Sequence, residues 1–408
     1  MKTQAKIKIN WLDEVKAVEP DVIEMRRYLH QHPELSFAEY KTADYIYKQL
    51  CSFGVEDIQR NVGNGLGIVA RIHGAKPGPV IALRADFDAL PIHEETDLPF
   101  KSQNEGVMHA CGHDAHTAML LGVAQIMNQH KNNFAGSVVC IFQNAEETKP
   151  GGAKSMIEDG ALEDVDVIYG IHVVPEHEVG NVGYSMSYGS AASDTIEINV
   201  QGRGGHASRP HEAIDSVVIA SEIITNLQSI VSRFVDPIDP AVLTFSSVAA
   251  GGGTAPNIIA DQAKIKGTVR TFSEETRQTI KRKFKQMTQA IVEMNDGSVE
   301  VNYYDGYPAL LNNRELVKNI VDRIQSAQLF NEVLEIGPMN GAAMIGEDFA
   351  YYLQKVPGAF LNIGVKNPGE SETYPLHHPK FNLAEEALSK GMELYLFLLM
   401  QHLNEVTE

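Results

Sequence analysis

The pattern of apolar and polar positions predicts helices and strands that alternate along most of the chain. Residues 11–55 form two predicted helices around the break "HQHPELSF", because apolar residues recur there at helical spacing. Apolar runs such as "VIALRADFDAL", "GSVVCIFQNAEE" and "VDVIYGIHVV" are typical of buried strands. A further helix is expected after Asp114, the predicted N-cap. The alternation predicts an α/β domain with a mainly parallel sheet and helices on both faces.

Residues 191–304 follow a different pattern. A strand, a long helix, two strands, a second long helix and a last strand succeed one another there. This β-α-β-β-α-β order is typical of ferredoxin-like α+β domains. From about residue 305 the α/β pattern resumes. We therefore predict one α/β domain formed by residues 1–190 and 305–408, with an α+β domain of residues 191–304 inserted into it.

Charge and cysteine content narrow the classes of partner and compartment. The chain has 34 Lys and Arg against 53 Asp and Glu, a formal net charge of −19. Such a charge repels phosphate backbones and anionic lipids, which argues against binding to nucleic acid or to a membrane surface. The three cysteines, a sparse and odd number, indicate a reducing compartment. The sequence also shows no apolar run of signal-peptide or membrane-spanning length. The expected location is the cytoplasm.

Side chains of the types that bind metals follow four of the predicted strands. They are Asp86 and Asp88, Glu146 and Glu147, His172, and His377 with His378. Parallel strands bring such positions to one edge of a sheet. The stretch "HACGHDAHT" lies between the first two of these strands, and its Cys111 and His113 are two residues apart, on one side of an extended loop. Thiolate, imidazole and carboxylate together favour zinc, manganese, cobalt or nickel.

The number of candidate ligands points to a pair of ions. Taken singly, each has a structural explanation, such as a buried cysteine or a solvated strand end. Together they are Cys111, His113, one glutamate of the 146–147 pair, His172 and His377. Five ligands exceed a tetrahedral zinc site, whereas two ions with a shared bridge would use all of them. The other glutamate then remains available as a general base.

Motifs spread along the chain resemble those of a known enzyme family. In order they are "RRYLHQHPELSFAEY", "RADFDALP", "HACGHDAHTAMLLG", "QNAEE", "GIHV", "GRGGHASRPH", "NIIAD", "GTVRTF", "GYPAL", "GEDFAYY" and "LHHPKF". They resemble the dinuclear metallo-amidohydrolases, which include bacterial N-acyl-amino-acid aminoacylases, hippurate hydrolases, N-acetyl-diaminopimelate deacetylases and plant auxin-conjugate hydrolases. Glutamate carboxypeptidase is a more distant relative. The resemblance implies a metal-dependent exopeptidase-like, three-layer catalytic domain with an inserted lid or dimerisation domain.

The resemblance also implies roles for the candidate site residues. Cys111 matches a bridging ligand, and Glu146 matches the general base that moves a proton from water to the leaving amine. Asp88 matches an acidic residue that orients a ligand. The positions that match terminal ligands are His113, Glu147, His172 and His377. His377 is preferred to His378 because the family pattern is His, a variable residue, then Pro. His109 and His116 are expected near the site without binding an ion.

In the inserted domain the resemblance singles out three residues. His206 matches a histidine that reaches the site of a neighbouring subunit and helps to hold the oxyanion. Asn257 and Arg270 match positions that contact the free carboxylate of the substrate. The glycines at 251–253 predict a mobile loop before Asn257. A homodimer or larger homo-oligomer with two divalent ions per subunit is expected, zinc or manganese first and cobalt or nickel as alternatives.

The implied reaction is hydrolysis of the amide bond in small N-acyl amino acids, N-acetyl or N-benzoyl. A carboxypeptidase or dipeptidase with the same dinuclear site is the alternative. A protein that only binds metal or an amino-acid conjugate is a third interpretation, which predicts a missing base or ligand. The base and all five ligand positions are present in the sequence. Acyl group, side-chain preference and native metal stay open.

Overall fold

A computed structural model describes residues 9–251, 255–336, 344–367, 369 and 373–405. The predicted mobile loop falls mainly on residues 252–254, outside the described residues. The chain divides into two compact units. The first comprises Met1–Ser187, Asn312–Asn340 and Tyr351–Glu408, and the second comprises Tyr188–Leu311 and Gly341–Ala350. Within the described part of the chain, every helix is too short or too polar to cross a membrane.

The helices and strands follow one another along both units. The described helices are α1 (Trp11–Gln31), α2 (Tyr40–Ser52), α3 (Gly63–Leu66), α4 (His113–Gln129), α5 (Ala153–Glu158), α6 (Ser216–Leu227), α7 (Ser229–Phe234), α8 (Glu274–Met294), α9 (Arg314–Ala327), α10 (Ala350–Leu353) and α11 (Glu386–Met400). The described strands are β1 (Asp57–Val62), β2 (Gly67–His73), β3 (Lys76–Asp86), β4 (Phe134–Gln143), β5 (Val167–Glu178), β6 (Asn181–Tyr184), β7 (Tyr188–Ser190), β8 (Ala192–Gln201), β9 (Gly205–His206), β10 (Ala241–Ala250), β11 (Ile258–Ile259), β12 (Gln262–Thr271), β13 (Ser298–Tyr304), β14 (Leu310–Leu311), β15 (Glu332–Glu335), β16 (Gly358–Lys366) and β17 (Asn404–Glu405).

The first unit is built on a mixed sheet with the order β1-β2-β4-β3-β5-β16-β6-β15, and β17 pairs with β4. The four central strands β4, β3, β5 and β16 are mutually parallel. Strands β1, β2 and β6 pair antiparallel at the flanks. The sequence pattern missed β1 because it is an exposed edge strand in which only Val62 is fully buried. The α/β class is confirmed, and the parallel part is the centre of the sheet.

Burial on both faces of the central strands shows that both faces are covered. Successive residues of β3 from Ile81 to Asp86 are buried, as is almost all of β4. Helix α4 packs against α1 and α11 as well as against the sheet. At Gly122 in α4, an added Cβ would lie 2.6 Å from Val22 and 2.5 Å from the sulfur of Met392. This close approach of three helices needs a residue without a side chain.

The start of α4 differs from the prediction. The N-cap is Gly112, whose φ of 88° lies in the left-handed region and whose Cβ, if present, would lie 2.4 Å from Val173. The prediction that Asp114 caps this helix is therefore wrong. Its buried carboxylate instead accepts hydrogen bonds from Arg26 Nε and His30 Nδ1, both at 2.8 Å. The Asp114 side chain, which the sequence pattern assigns to its own helix, therefore bonds to residues from a distant segment instead.

The second unit contains an antiparallel sheet with the order β10-β12-β8-β13. Helices α6, α7 and α8 pack on this sheet around a separate apolar core that includes Ile198, Ile223 and Phe284. The element order β8-α6-α7-β10-β12-α8-β13 is the ferredoxin-like one. The single long helix predicted after residue 211 is divided in the structure, with α6 ending at Leu227 and α7 beginning at Ser229.

Candidate metal centre

The structure brings the predicted ligands of the first unit into two overlapping groups. One group is Cys111, His113 and His172, and the other is Cys111, Glu147 and His377. Within each group, one potential ligand atom from each residue lies within 4.8 Å of the others. The thiol of Cys111 belongs to both groups. Two ions that share the Cys111 thiolate would therefore be supplied with all five side chains.

Strand order explains why residues so far apart in sequence meet here. His172 lies within β5, and Glu147 follows the end of β4. Cys111 and His113 lie where the loop after β3 enters α4, while His377 lies in the loop after β16. These are the four adjacent parallel strands, whose carboxyl ends meet at one edge. The loops that follow them therefore converge.

The distances between ligand atoms suit a cluster that surrounds cations. His377 Nε2 lies 3.2 Å and His113 Nε2 lies 3.9 Å from Glu147 Oε1. Cys111 Sγ lies 3.5 Å from His172 Nε2. His113 Nε2 and Glu147 Oε1 are buried, and among the described residues they make no hydrogen bond. Buried polar atoms without hydrogen bonds are unfavourable unless something else binds them, so these residues fit a metal.

Hydrogen bonds to the far side of each ring orient the buried histidine ligands. His113 Nδ1 lies 3.0 Å from the backbone oxygen and 3.1 Å from Oδ1 of Asp88, so its N–H donates there. His172 Nδ1 donates to the backbone oxygen of Val173 at 2.8 Å. In both residues this arrangement directs Nε2 toward the cluster. Metal-binding histidines in proteins are held in the same way.

Asp88 connects several parts of the centre without belonging to a ligand group. Besides His113, its carboxylate accepts a hydrogen bond from Ser36 Oγ at 2.7 Å and from the backbone N–H of Glu147 at 2.9 Å. One fully buried carboxylate thus holds two ligand residues in register. Although burial opposes it, these donors lower the pKa of Asp88, which keeps the group charged. These contacts are of the kind that a residue orienting a ligand would make, and the role of Asp88 stays a prediction.

His116 lies in the centre, but its ring nitrogens are already used. Its Nδ1 donates to Asp86 Oδ1 at 2.6 Å, and its Nε2 accepts the backbone N–H of Val173 at 3.0 Å. Asp86 also pairs with Arg84 at 2.6 Å. Although Asp86, His113 and His116 also lie close enough together to hold an ion, these hydrogen bonds favour a supporting role for Asp86 and His116. His109 is also buried, and burial lowers its pKa to about 4.

The electrostatics of the centre indicate a missing positive charge. Burial, together with the carboxylates of Glu147, Glu146 and Asp86, raises the pKa of the Cys111 thiol well above its usual range. Burial would lower the pKa of His113, but Asp86, Asp88 and Glu147 outweigh it and raise that pKa to about 10. Without a metal, Cys111 and His113 therefore keep their protons at neutral pH. A divalent ion would displace both protons, because thiolate and neutral imidazole are the metal-binding forms.

The two adjacent glutamates differ in their surroundings. Glu146 is buried and shares a group with His113 and Glu147, but it belongs to neither group that contains Cys111. Glu147 belongs to one of those groups and lies close to both His113 and His377. This difference favours Glu147 as ligand and leaves Glu146 for another task.

The structure also separates the two histidines of "LHHP". His377 belongs to a ligand group and has a left-handed φ of 65°. His378 instead stacks on Tyr374, with ring centroids 4.6 Å apart, and its Nδ1 accepts the backbone N–H of Lys380 at 3.1 Å. These contacts distinguish His377 from His378, a distinction that sequence could make only by alignment.

The other predicted site residues belong to the second unit. His206 and Asn257 lie in a small ribbon, where Ala207 N–H donates to the backbone oxygen of Asn257 at 3.0 Å. Both side chains are exposed, and His206 Nδ1 lies 2.8 Å from Ser208 Oγ. Arg270 is half-buried in β12, opposite Ser193 of β8. Burial lowers its pKa from a value far above neutrality, so it remains a cation.

Two residues that contact the centre were assigned no role from sequence. Ser36 donates to Asp88, and Glu39 Oε1 accepts the backbone N–H of Ala145 at 2.8 Å. Both belong to the motif "RRYLHQHPELSFAEY". The one feature of the sequence that could have pointed to them is the number of polar residues between the two predicted helices.

Comparisons with known proteins agree with this fold and site. The family model of peptidase family M20/M25/M40 matches residues 82–401. The chain is 45% identical to the N-acyl-L-amino acid amidohydrolase of Geobacillus stearothermophilus over 74% of this chain and 80% of that protein. It is 38% identical to thermostable carboxypeptidase 1 of Saccharolobus solfataricus over 96% of this chain and 98% of that protein. The crystal structure of the Bacillus subtilis YXEP protein, a dinuclear metal binding peptidase from the M20 family, superposes with a TM-score of 0.80. The two chains are 36% identical, and the superposition covers 94% of this chain and 98% of the YXEP chain.

Together with these relatives, the α/β fold and the cluster of potential metal ligands identify a metal-dependent hydrolase of amide bonds. The chain belongs to peptidase family M20/M25/M40. The predicted family and reaction class are thereby confirmed.

Proposed function

We propose that this protein hydrolyses the amide bond of N-acyl amino acids, with N-acetyl and N-benzoyl derivatives as the first substrates to test. The observation that carries the proposal is the Cys111 thiol shared by two ligand groups, with Glu146 buried beside them. The relative from Geobacillus stearothermophilus, an N-acyl-L-amino acid amidohydrolase, supports this substrate class. The products are a free amino acid and a carboxylic acid.

Two divalent ions are the proposed cofactors, with zinc or manganese expected first and cobalt or nickel as alternatives. Cys111 would hold both ions, and His113, Glu147, His172 and His377 would complete the two sites. Bound ions supply Lewis-acid chemistry, which polarises the amide carbonyl and makes water a better nucleophile near neutral pH. The mixture of sulfur, nitrogen and oxygen donors favours zinc, manganese, cobalt or nickel over magnesium but does not choose among them.

Glu146 is the proposed general base. It accepts a proton from the attacking water molecule and returns it to the amine nitrogen as the amide bond breaks. Asp88 is a positioning residue here, because its carboxylate contacts His113 and the backbone of Glu147. Proton transfer of this kind contributes about 10²- to 10⁴-fold to the rate.

The second unit supplies the proposed contacts to the rest of the substrate. Arg270 and Asn257 would select a substrate with a carboxylate beside the scissile nitrogen, and His206 would stabilise the oxyanion. We propose that residues 191–304 act as the lid and dimerisation domain and that His206 acts on the site of a second subunit. Within the described residues β10 is an outer strand of its sheet and Val248 on it is exposed, which supports self-association. Val217 and Val218 on α6 are exposed as well.

A carboxypeptidase or dipeptidase activity at the same centre is the second candidate. The relative from Saccharolobus solfataricus, a thermostable carboxypeptidase, favours it. Comparing kcat/KM for N-acetyl, N-benzoyl and dipeptide substrates, after loading the stripped protein with one metal at a time, distinguishes the two. Faster cleavage of dipeptides than of acyl amino acids would replace the first candidate with the second.

The adjacent glutamates offer a matched pair of variants for the mechanism. Glu146→Gln is expected to keep two metals per subunit and to lose about 10³-fold or more in kcat. Glu147→Gln is expected to lose metal as well. Metal content by inductively coupled plasma mass spectrometry and kcat with N-acetyl amino acids measure both. Full turnover by Glu146→Gln would overturn the assignment of the base.

Mixing two inactive variants tests the action of His206 across subunits. In a heterodimer of Glu146→Gln and His206→Ala, one site regains both residues only if His206 is supplied by the partner. Statistical reassortment then restores roughly a quarter of the wild-type activity, because half the dimers carry one intact site. Mixtures that remain inactive although exchange is demonstrated would contradict this role.

A further inference from the structure

Glu39 is a buried acidic residue that the proposed mechanism does not use. It is fully buried at the N-cap position of α2, yet its carboxylate makes no capping hydrogen bond to its own helix. Glu34 performs that task, since its Oε2 accepts the backbone N–H groups of Lys41 and Thr42, both at 2.8 Å. The Glu39 side chain is thereby available for a tertiary contact. Its Oε1 accepts the backbone N–H of Ala145 at 2.8 Å.

Ala145 is the residue directly before the proposed base. Its φ of 54° lies in the left-handed region, which a residue with a side chain rarely adopts unless other contacts hold it there. Its carbonyl oxygen accepts the N–H of Gly152 at 3.0 Å. A Cβ on Gly152 would lie 1.9 Å from the backbone oxygen of Asn144, so this approach requires glycine. The peptide groups on both sides of Ala145 are therefore held by hydrogen bonds.

The loop that carries Glu39 also contacts the other support of the centre. Ser36 Oγ donates to Asp88, and the backbone oxygen of Glu34 accepts the N–H of Ala89 at 2.9 Å. Asp88 in turn accepts the backbone N–H of Glu147 at 2.9 Å. Residues 34–39 thus contact the loops after β3 and β4 at once. Burial and the nearby charge of Asp88 raise the pKa of Glu39 to about 8, so near neutral pH its acceptor resembles that of a neutral amide.

We propose that Glu39 is a positioning residue of the reaction, which holds Ala145 in its left-handed conformation and so directs Glu146 toward the substrate and Glu147 toward the metal pair. This inference rests on the proposed function of Glu146 and Glu147. Without the acceptor, Ala145 relaxes toward an ordinary conformation, and the two carboxylates that follow it change direction. A displacement of about 1 Å at a reacting group is enough to lower kcat about 10²-fold.

Four variants separate this role from general stabilisation. Glu39→Leu removes the acceptor, Glu39→Asp withdraws it from Ala145, and Glu39→Gln keeps an oxygen acceptor of the same reach. Glu34→Leu is the matched control, because it lies on the same loop but removes only side-chain hydrogen bonds to the first turn of α2. The measurements are kcat and KM, metal content, and the visible absorption spectrum of the cobalt-loaded protein, which reports the ligand field without turnover.

For Glu39→Leu and Glu39→Asp we expect a loss of about 10²-fold in kcat, a KM within about threefold of wild type, and a shifted cobalt spectrum. Glu39→Gln is expected to restore kcat to within about fivefold of wild type and to restore the spectrum. Glu34→Leu is expected to lower the melting temperature while kcat and the spectrum stay as in wild type. Glu39→Asp serves as the readout should Glu39→Leu fail to fold.

Three results would overturn the inference. The first is a wild-type kcat in Glu39→Leu or Glu39→Asp. The second is a loss of kcat in Glu39→Gln as large as that in Glu39→Leu. The third is a loss of kcat in Glu34→Leu as large as that in Glu39→Leu. Failure of the proposed function looks different. In that case Glu146→Gln, assayed alongside, retains turnover. An inactive Glu146→Gln combined with fully active Glu39 variants removes only the positioning role.

Discussion

Two buried clusters of charged side chains, one in each unit, show how a site differs from a structural ion pair. In the second unit, the Asp194 carboxylate accepts hydrogen bonds from Arg277 Nε at 2.9 Å and Nη2 at 2.5 Å. It also accepts from Tyr303 at 2.8 Å and from the N–H of Gly306 at 2.9 Å. In the first unit, carboxylates crowd around Cys111 and His113, and His113 Nε2 and Glu147 Oε1 make no hydrogen bond within the described residues.

The difference lies in whether the cluster is complete without a ligand. The Asp194 carboxylate has four hydrogen bonds from within the protein, and its pKa is lowered, despite burial, by those partners. The carboxylates around Cys111 and His113 carry more negative charge than the neighbouring residues neutralise. The protons on His113 and Cys111 offset part of that charge. Buried charge therefore indicates a binding site when donors and acceptors do not match, rather than wherever charges are buried.

The largest effect is expected from removing the shared ligand. Cys111→Ala should abolish the bridge between the two ligand groups, reduce bound metal below two per subunit, and lower kcat by about 10³-fold or more, since bound metals supply several kcal/mol. Cys140→Ala is the control, because Cys140 is also buried but lies within β4 and in neither ligand group. Metal analysis and initial rates measure both variants. Two metals retained in Cys111→Ala would refute the shared-ligand assignment.

Metal affinity at the first cluster is expected to rise with pH. In the metal-free protein, His113 keeps its proton up to a pKa of about 10, and the Cys111 thiol keeps its proton beyond its usual range. A metal must displace these protons, so raising the pH lowers the competition and tightens binding by about tenfold per pH unit for each proton released. Competition with a chromophoric chelator between pH 6 and 8 measures the slope. An affinity independent of pH would contradict the proposed protonation.

A substitution in the Asp194 cluster should lower the stability of the protein and leave the metal site unchanged. Arg277→Met leaves Asp194 buried without its main partner, which is expected to destabilise the protein by about 3–5 kcal/mol. Thermal and urea unfolding measure this loss, and metal content per folded molecule should stay at the wild-type value. If Arg277→Met instead reduced metal binding, the distinction between a structural and a ligand-binding cluster would fail.

A smaller effect is expected from the residue that supports the metal ligands. Asp88→Asn weakens the hydrogen bonds that orient His113 and the Glu147 backbone, so metal affinity should fall by about 10- to 100-fold. Asp57→Asn, in an exposed ion pair with His73, is the control and should leave affinity unchanged. Isothermal titration of the stripped proteins measures both. Equal affinities of Asp88→Asn and wild type would exclude the orienting role.

Local signals in the sequence predicted much of the fold and several members of the centre. Apolar runs located β3, β4 and β5, and the polar residues after them located Asp86, Glu146 and Glu147. The Cys-Gly-His spacing placed Cys111 and His113 together. These inferences succeed because periodicity and strand ends are properties of short segments. The edge strand β1 was missed because exposure removes the apolar pattern that marks a strand.

Other features were decided by contacts between distant segments. Asp114 had the features of an N-cap, but Arg26, 88 residues away in sequence, and His30 take its carboxylate. His116 and His113 are three positions apart on one helix, and only the packing of β5 shows that His116 Nε2 is occupied by the Val173 N–H. A sequence offers the same imidazole in both cases, whereas the fold determines which nitrogen remains available.

The sequence by itself determined the class of the protein, the chemistry of its ligands and the segments that carry them. Only the tertiary structure decided which side chains face the metal cluster and which support it. Glu39 illustrates the reason, since it contacts Ala145 across 106 residues, and the polar stretch that contains it does not indicate which partner it meets. Residue type determines what a side chain can donate or accept, and chain packing determines which partner lies within reach.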